Sequence, residues 1–295
     1  MIANLLSEAA AHLAAHGIPN PRLDAEVLLA HTLGISKTGL YTRLHTSLDT
    51  ARRIAFWQQI ERRAQREPLP YITGIQEFWS LDFVVDPRVL IPRPETELVV
   101  EVGLELLEAP STVSAQSAQQ PIQILDLGTG SGCITIALAT QLSQAQFWAC
   151  DVSSEALTLA RENAHRHGVD ERITFIQANM RAGRESIPST CDLFDLIVTN
   201  PPYITQPELT TLQPEVRDWE PRLALDGGQD GLDFYRCLLQ DYPMLLRLGG
   251  WLVMEIGHDQ SEAIMRVAEA QPTLTGCSVR RDYAGLPRVV SAQRQ

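Results

Sequence analysis

Ile122-Gln123-Ile124-Leu125-Asp126-Leu127-Gly128-Thr129-Gly130-Ser131-Gly132-Cys133-Ile134-Thr135-Ile136-Ala137-Leu138 is the stretch that decides the fold. Its opening residues form an apolar run of strand length, a glycine-rich turn follows, and the run from Cys133 opens a helix. A strand, a glycine turn and a helix N-terminus in that order make a nucleotide-type site. Glycines let the backbone approach a ligand, and amides of the turn and helix start face it. From Ile122 on, strands and helices alternate, which predicts an α/β domain with a doubly wound, mostly parallel sheet. Ligands in such sheets sit beyond the carboxyl ends of the strands.

Three kinds of glycine turn can be separated. A phosphate-cradling loop needs Lys-Ser or Lys-Thr after its last glycine, and none is present. The dinucleotide fingerprint wants Gly or Ala where this chain has Cys133, which argues against an NAD-dependent redox enzyme. The shorter Asp-x-Gly-x-Gly-x-Gly turn holds S-adenosylmethionine, and Asp126, Gly128, Gly130 and Gly132 have its spacing, with Thr129 and Ser131 between them. The next strand, Gln146 to Cys150, ends in Asp151 and leads through Ser153-Ser154 into a helix closed by Gly168. An acid at that point accepts hydrogen bonds from ribose hydroxyls or caps the helix, and the glycine turn upstream favours the ribose. A third strand, Ile173 to Gln177, leads to Ala178-Asn179-Met180, at the adenine end of such a site. Asn179 can accept from the adenine amine. Met180 either lies on the ring face or fills the core.

A fourth apolar run, Leu193 to Thr199, stops at Asn200-Pro201-Pro202-Tyr203. The prolines end the strand and remove two backbone donors. What remains is a compact pair of acceptors, the Asn200 side-chain oxygen and the Pro201 main-chain oxygen, beside an aromatic ring. That arrangement suits a flat amino group, a carboxamide or the exocyclic amine of a base. A plain Asn-Pro turn has the same residues, and the glycine turn upstream shifts the balance toward a site.

The glycine turn, Asp151 and Asn200 to Tyr203 together resemble class I S-adenosylmethionine-dependent methyltransferases that alkylate planar nitrogens. Tyr71-Ile72-Thr73-Gly74, Glu77-Phe78-Trp79 and Ile91-Pro92-Arg93-Pro94-Glu95-Thr96-Glu97 narrow the likeness to the bacterial peptide chain release factor glutamine N5-methyltransferases, over nearly the whole chain. The resemblance implies a Rossmann-like catalytic domain over 94–295, a hairpin connector at 76–93 and a helical substrate-docking domain at 1–75. It implies methyl transfer from S-adenosylmethionine, leaving S-adenosylhomocysteine, to the glutamine of a Gly-Gly-Gln loop in release factors. A close relative modifies a ribosomal protein glutamine. The Asn-Pro-Pro-Tyr motif alone is shared with adenine-N6 methyltransferases. The family has Asp and an aromatic where this chain has Asn179 and Met180, which weakens one hydrogen bond to adenine by removing a charge.

The expected cofactor residues are Asp126, Gly128, Thr129, Gly130, Ser131, Gly132, Asp151, Asn179, Met180 and Asn200. The expected catalytic residues are Asn200, Pro201 and Tyr203. Substrate would meet Asn200, Pro201, Pro202 and Tyr203. Arg93 and Glu95 are candidates for closing over the substrate loop, or form an ion pair and cap at a helix start. The Tyr203 ring would wall the amide, its hydroxyl being a poor base with an ordinary pKa near 10. No metal site is expected.

At 295 residues two domains are expected, since single domains mostly run roughly 50–200. No apolar run approaches the roughly 18 residues of a membrane span, and the first residues lack a basic segment followed by a hydrophobic run, so neither membrane nor secretory signal is expected. Cysteines 133, 150, 191, 237 and 277 are scattered and fit a reducing cytoplasm. The net charge of −12 disfavours stable nucleic-acid binding, which depends on neutralising phosphates. Residues 1–75 carry 8 Lys/Arg and 6 Asp/Glu, and Arg52, Arg53, Arg62, Arg63 and Arg66 fall on a helix that Asp49 caps. They form either a solvated face or a docking surface. Ala109 to Gln120 reads as a solvated loop without assigned function. A late strand over 249–257 and a terminal hairpin from 278–281 and 288–291 complete the pattern.

Overall fold

The computed structural model of the chain describes residues 1–108, 121–188 and 193–295. The predicted loop at 109–120 and Cys191 lie outside the described residues. Two compact units are present, one of residues 1–75 with 213–219, the other of 76–212 with 220–295.

The first unit is helical: α1 (Ile2–Ala15), α2 (Pro21–Leu33), α3 (Lys37–Tyr41), α4 (Thr50–Ala64) and α5 (Leu69–Thr73). Leu6, Leu13, Leu28, Leu29, Phe56 and Ile60 are fully buried and form its core. The Asp49 carboxylate accepts from the Arg52 amide at the start of α4, and Gly34 ends α2 in the left-handed conformation. The arginine cluster is not one solvated face. Arg63 is 6% exposed. It donates to Asp24 at 2.7 Å, to the Glu67 carbonyl at 3.2 Å and to Glu215 at 2.9 Å. Arg66 donates to the other Glu215 oxygen at 2.7 Å, and Arg62 pairs with Glu67. Three of the five charges are thus absorbed by carboxylates of the same unit, one of them contributed by α10 (Pro214–Arg217), far along the chain.

The second unit begins with a hairpin, β1 (Ile75–Phe78) and β2 (Leu81–Val84). Its turn residues Trp79 and Ser80 both have positive φ, at 56° and 58°, as a tight primed hairpin turn demands. The Glu97 carboxylate accepts from the Trp79 amide and holds this conformation. A short 3₁₀ turn at Pro94–Thr96 leads into α6 (Glu97–Glu108). There follow β3 (Gln123–Leu127), α7 (Cys133–Gln141), β4 (Gln146–Asp151), α8 (Ser154–Arg166), β5 (Ile173–Gln177) and β6 (Phe194–Thr199). After β6 come α9 (Gln206–Leu209) and, beyond the segment that belongs to the first unit, α11 (Asp233–Asp241), β7 (Leu246–Glu255), α12 (Ser261–Glu269), β8 (Leu274–Arg281) and β9 (Pro287–Arg294).

Seven strands make one sheet in the order β5-β4-β3-β6-β7-β9-β8. The first five are parallel, while β9 and β8 add antiparallel edge strands. The chain order reverses direction at β3 and β6, which opens a crevice beyond their carboxyl ends. Register then aligns the strand ends. Leu127 pairs with Cys150 and with Thr199, and Thr199 with Met254. One residue further on, Gly128, Asp151, Asn200 and Glu255 therefore share a row. The central strands read as continuous apolar runs because helices cover both faces of a parallel sheet; β3 is buried at every position.

Candidate active site

The glycine turn is shaped from below. Gly128, Gly130 and Gly132 have φ of 75°, 55° and 84°, a region that side chains disfavour by ~1–2 kcal/mol per residue. The Gly128 and Thr129 amides donate to the Cys150 carbonyl at 2.8 and 2.9 Å. Asp126, 1% exposed, accepts from the hydroxyls of Thr129 at 2.7 Å and Thr135 at 2.6 Å through Oδ2. Its Oδ1 is buried without a hydrogen-bond partner among the described residues. Burial, offset by the Thr135 and Thr129 hydroxyls, lifts this carboxyl to about 6. A fully buried asparagine, Asn163 on α8, donates to the Ser131 and Val84 carbonyls and accepts from the Val84 amide. It ties the turn to the hairpin.

Above the turn lies a cavity of about 310 Å³. Its wall includes Gly128, Gly130, Asp151, Asn179, Met180, Asn200 and Pro202 from the expected residues. Asp126, Thr129, Ser131, Gly132, Pro201, Tyr203, Arg93 and Glu95 are not among the residues that line it. Asp151 accepts from the Gly130 amide at 2.9 Å with one oxygen and from the Ser153 amide at 2.9 Å with the other. Burial raises its carboxyl, and these amides offset the rise. The side-chain cap of α8 is Ser153, which accepts from Ala156. Asn179 accepts from the Arg181 amide at 3.0 Å and caps a single 3₁₀ turn. Met180 packs on the buried core and also lines the cavity. Its Cε would lie 2.7 Å from a Cβ placed on Gly128, so a side chain there would have to push the methionine methyl aside as well as hold a positive φ of 75°.

A polar chain that the sequence reading passed over runs behind Asn200. The Asn200 Nδ2 donates to the Thr96 hydroxyl at 3.1 Å. The Thr96 hydroxyl donates to the Glu255 carboxylate at 2.6 Å. The Tyr203 hydroxyl donates to the other Glu255 oxygen at 3.3 Å, and the Tyr235 hydroxyl to the Glu255 carbonyl at 2.8 Å. Thr96 and Glu255 are 2% and 1% exposed. Burial pushes Glu255 up to about 7, against the Thr96 hydroxyl and the Arg288 charge. Burial and the neighbouring Glu255 raise Tyr203 well above the ordinary value near 10 assumed for it, which leaves even less phenolate to serve as a base. No described group engages the Asn200 oxygen, so the cavity wall presents an acceptor with its own nitrogen tethered behind.

Arg93 neither pairs with Glu95 nor caps the helix start. It donates to Glu220, a buried carboxylate, at 2.6 Å, while Glu95 is exposed. Glu255 did carry a sequence signal: it is an acid closing an apolar strand, as Asp151 is. Pro87–Leu90, Pro221, Leu223, Ala224 and Phe234, which also line the cavity, carry none, because they arrive there only through the tertiary path. Asp226-Gly227-Gly228 could have been noticed. A Cβ on Gly227 would lie 2.7 Å from the Tyr203 backbone, so the chain leaving the Asn-Pro-Pro-Tyr corner needs glycine against it.

Comparison with known proteins places this arrangement. Residues 4–74 match the family model "PrmC N-terminal domain" and residues 119–255 the model "Methyltransferase domain". The release factor glutamine methyltransferase of Moorella thermoacetica is 45% identical over 290 residues, covering 98% of this chain and 97% of that one. The chain belongs to the release factor glutamine methyltransferase family. Its relatives of the same name from Geobacter sulfurreducens and Chlorobaculum tepidum are 43% and 42% identical over 96% and 100% of this chain, and 93% and 97% of their own. The fold is that of class I methyltransferases. The hMettl16 catalytic domain in complex with MAT2A 3′UTR hairpin 6 aligns with a TM-score of 0.55 at 16% identity, over 79% of this chain and 82% of that one. A methyltransferase from Pyrococcus furiosus aligns at 0.51 and 17%, over 79% and 98%. Among the described residues no helix is long and apolar enough to cross a membrane, and no cluster of His, Cys, Asp or Glu could hold a metal ion.

Proposed function

We propose that this protein transfers the methyl group of S-adenosylmethionine to the side-chain nitrogen, N5, of the glutamine in the Gly-Gly-Gln loop of peptide chain release factors. The observation that carries the reading is the Asn200 carboxamide on the cavity wall. Its oxygen is free to accept and its nitrogen is held by Thr96.

The cavity fits the donor on its own features. Glycine backbone stands where a side chain would block it, with nothing within 4 Å of a Cβ on Gly130. The Asp151 carboxylate on the wall can accept from ribose hydroxyls. Ala178, Asn179 and Met180 offer an apolar face and an amide to the base. The donor supplies a methyl carbon activated by a sulfonium leaving group. A glutamine amide is a weak nucleophile, because its nitrogen lone pair is delocalised into the carbonyl. Asn200 Oδ1 and the Pro201 carbonyl each accept one N–H and turn the nitrogen toward the methyl. Both acceptors stabilise positive charge as it grows on nitrogen, so they act in the transition state. Holding the reactants in line supplies much of the remaining rate. Tyr203 closes the corner against water. Asp126 shapes the turn from beneath it.

Residues 1–75 would dock the protein substrate. The charge of −12 favours a protein over a nucleic acid as partner, and free cysteines at 133, 150, 237 and 277 suit the cytoplasm. Mass spectrometry of a purified release factor, incubated with the protein and S-adenosylmethionine, should find one methyl on the Gly-Gly-Gln glutamine. Asn200→Ala should lower kcat by roughly 10²–10³ and change donor affinity little. Donor binding without methylation of that glutamine would reject the substrate assignment, and ribosomal protein glutamines would be assayed next.

A further inference from the structure

A carboxamide has two rotated states that exchange an acceptor for a donor at the same point in space. Only one of them serves at Asn200. With the oxygen forward, the side chain accepts an N–H from the substrate amide. With the nitrogen forward, two N–H groups oppose each other. Something must select the state, and the chain behind Asn200 has the means. An ionised Glu255 can only accept, so the Thr96 hydroxyl must spend its single proton on it. The Thr96 oxygen then keeps only lone pairs for Asn200, which must present Nδ2 to it and Oδ1 to the cavity.

We propose that Thr96 and Glu255 are positioning residues for methyl transfer, a two-residue relay that locks the Asn200 carboxamide with its oxygen toward the substrate nitrogen. The inference rests on the glutamine-methylation reading above. The relay is directional, because each member has a single arrangement once its terminus is ionised. A protonated Glu255 can donate to Thr96, which frees the threonine proton to donate to Asn200 Oδ1 and favours the wrong rotamer. The groups around Glu255 set its charge from several elements. Arg288 on β9 favours the ionised form, Glu95 before α6 disfavours it, and the Tyr203 hydroxyl donates to it. Tyr235 on α11 engages only its main-chain oxygen. Burial brings the carboxyl to about 7, so ionisation, and with it the productive rotamer, is gained as pH rises through neutrality.

The test uses the full-length protein with S-adenosylmethionine and a purified release factor. Thr96→Val removes the relay oxygen and should lower kcat by ~10²-fold, the scale of a misplaced reactive group, with donor affinity within about threefold of wild type. Thr96→Ser restores the hydroxyl and should keep kcat within about threefold. In the wild type, kcat should fall below about pH 7, approaching tenfold per pH unit. In Glu255→Gln, which cannot ionise, that limb should vanish. Three results would overturn the relay: Thr96→Val turning over like wild type, Thr96→Ser losing as much as valine, or an acid limb that persists in Glu255→Gln. A wild-type protein that methylates no glutamine refutes the underlying reading instead, and the two failures are distinct.

Discussion

Replacing Asp126 by asparagine should change how the stability of the ligand-free protein depends on pH. The carboxylate lies under the glycine turn, with Oδ2 taking two threonine hydroxyls and Oδ1 buried without a partner among the described residues. Its carboxyl moves from 3.8 to about 6 on folding, chiefly through burial. Between those values the folded state holds a proton that the unfolded chain has released. Stability is therefore lost as pH rises through this window and stays lost above it. The whole effect is roughly 3 kcal/mol. Asparagine keeps an oxygen for the two hydroxyls and cannot ionise. Its amide nitrogen, placed where Oδ1 now sits, adds a constant cost of about 1–3 kcal/mol that does not vary with pH. The unfolding free energy of the variant minus that of wild type should thus grow by roughly 2 kcal/mol between about pH 4.5 and about pH 7.5. Urea unfolding followed by fluorescence at several pH values measures this difference, and Glu255, common to both proteins, cancels. A difference that stays level across the range would refute the view that Asp126 is an uncompensated buried charge.

Three further outcomes are expected. Glu215→Ala should destabilise the helical unit by about 3 kcal/mol in urea unfolding, at the low end for a broken buried pair because Arg63 retains Asp24. Gly130→Ala should cost only about 1 kcal/mol of stability, the strain of a positive φ in otherwise open space. It should weaken S-adenosylmethionine binding at least ~10-fold by calorimetry, since the added methyl meets the ligand rather than the protein. Asn179→Asp keeps the acceptor for the Arg181 amide and adds charge facing the base, so donor affinity should hold or tighten; a collapse would remove Asn179 from the adenine end of the site.

Local pattern carried much of this protein. An apolar run followed by glycines and a helix start has few structural outcomes, and both the glycine turn and the Asn-Pro-Pro-Tyr corner stand at strand ends as the residues imply. Prolines and glycines act on their own backbone, so their consequences are readable without knowing what lies nearby. Caps at Asp49 and Ser153 follow the same rule. Arginine clusters do not, because a charge is decided by its partner. Arg62, Arg63 and Arg66 read as a basic helix face, yet Glu67, Asp24 and Glu215 absorb them, and Glu215 lies some 150 residues away in sequence.

The site divides in the same way. By itself the sequence determined that acceptors would gather beyond the strand ends, because strand, turn and helix order sets which end of a parallel sheet is open. Only the tertiary structure decided which residues line the cavity and which pack behind them. Register across β3, β4, β6 and β7 brought Gly128, Asp151, Asn200 and Glu255 into one row, and burial then made Glu255 and Asp126 sensitive to pH. Thr96 joined that row from a separate turn, 104 residues before Asn200. A side chain's chemical type is written in the sequence. Its protonation, its rotamer and its partner depend on desolvation and on neighbours that arrive from distant parts of the chain.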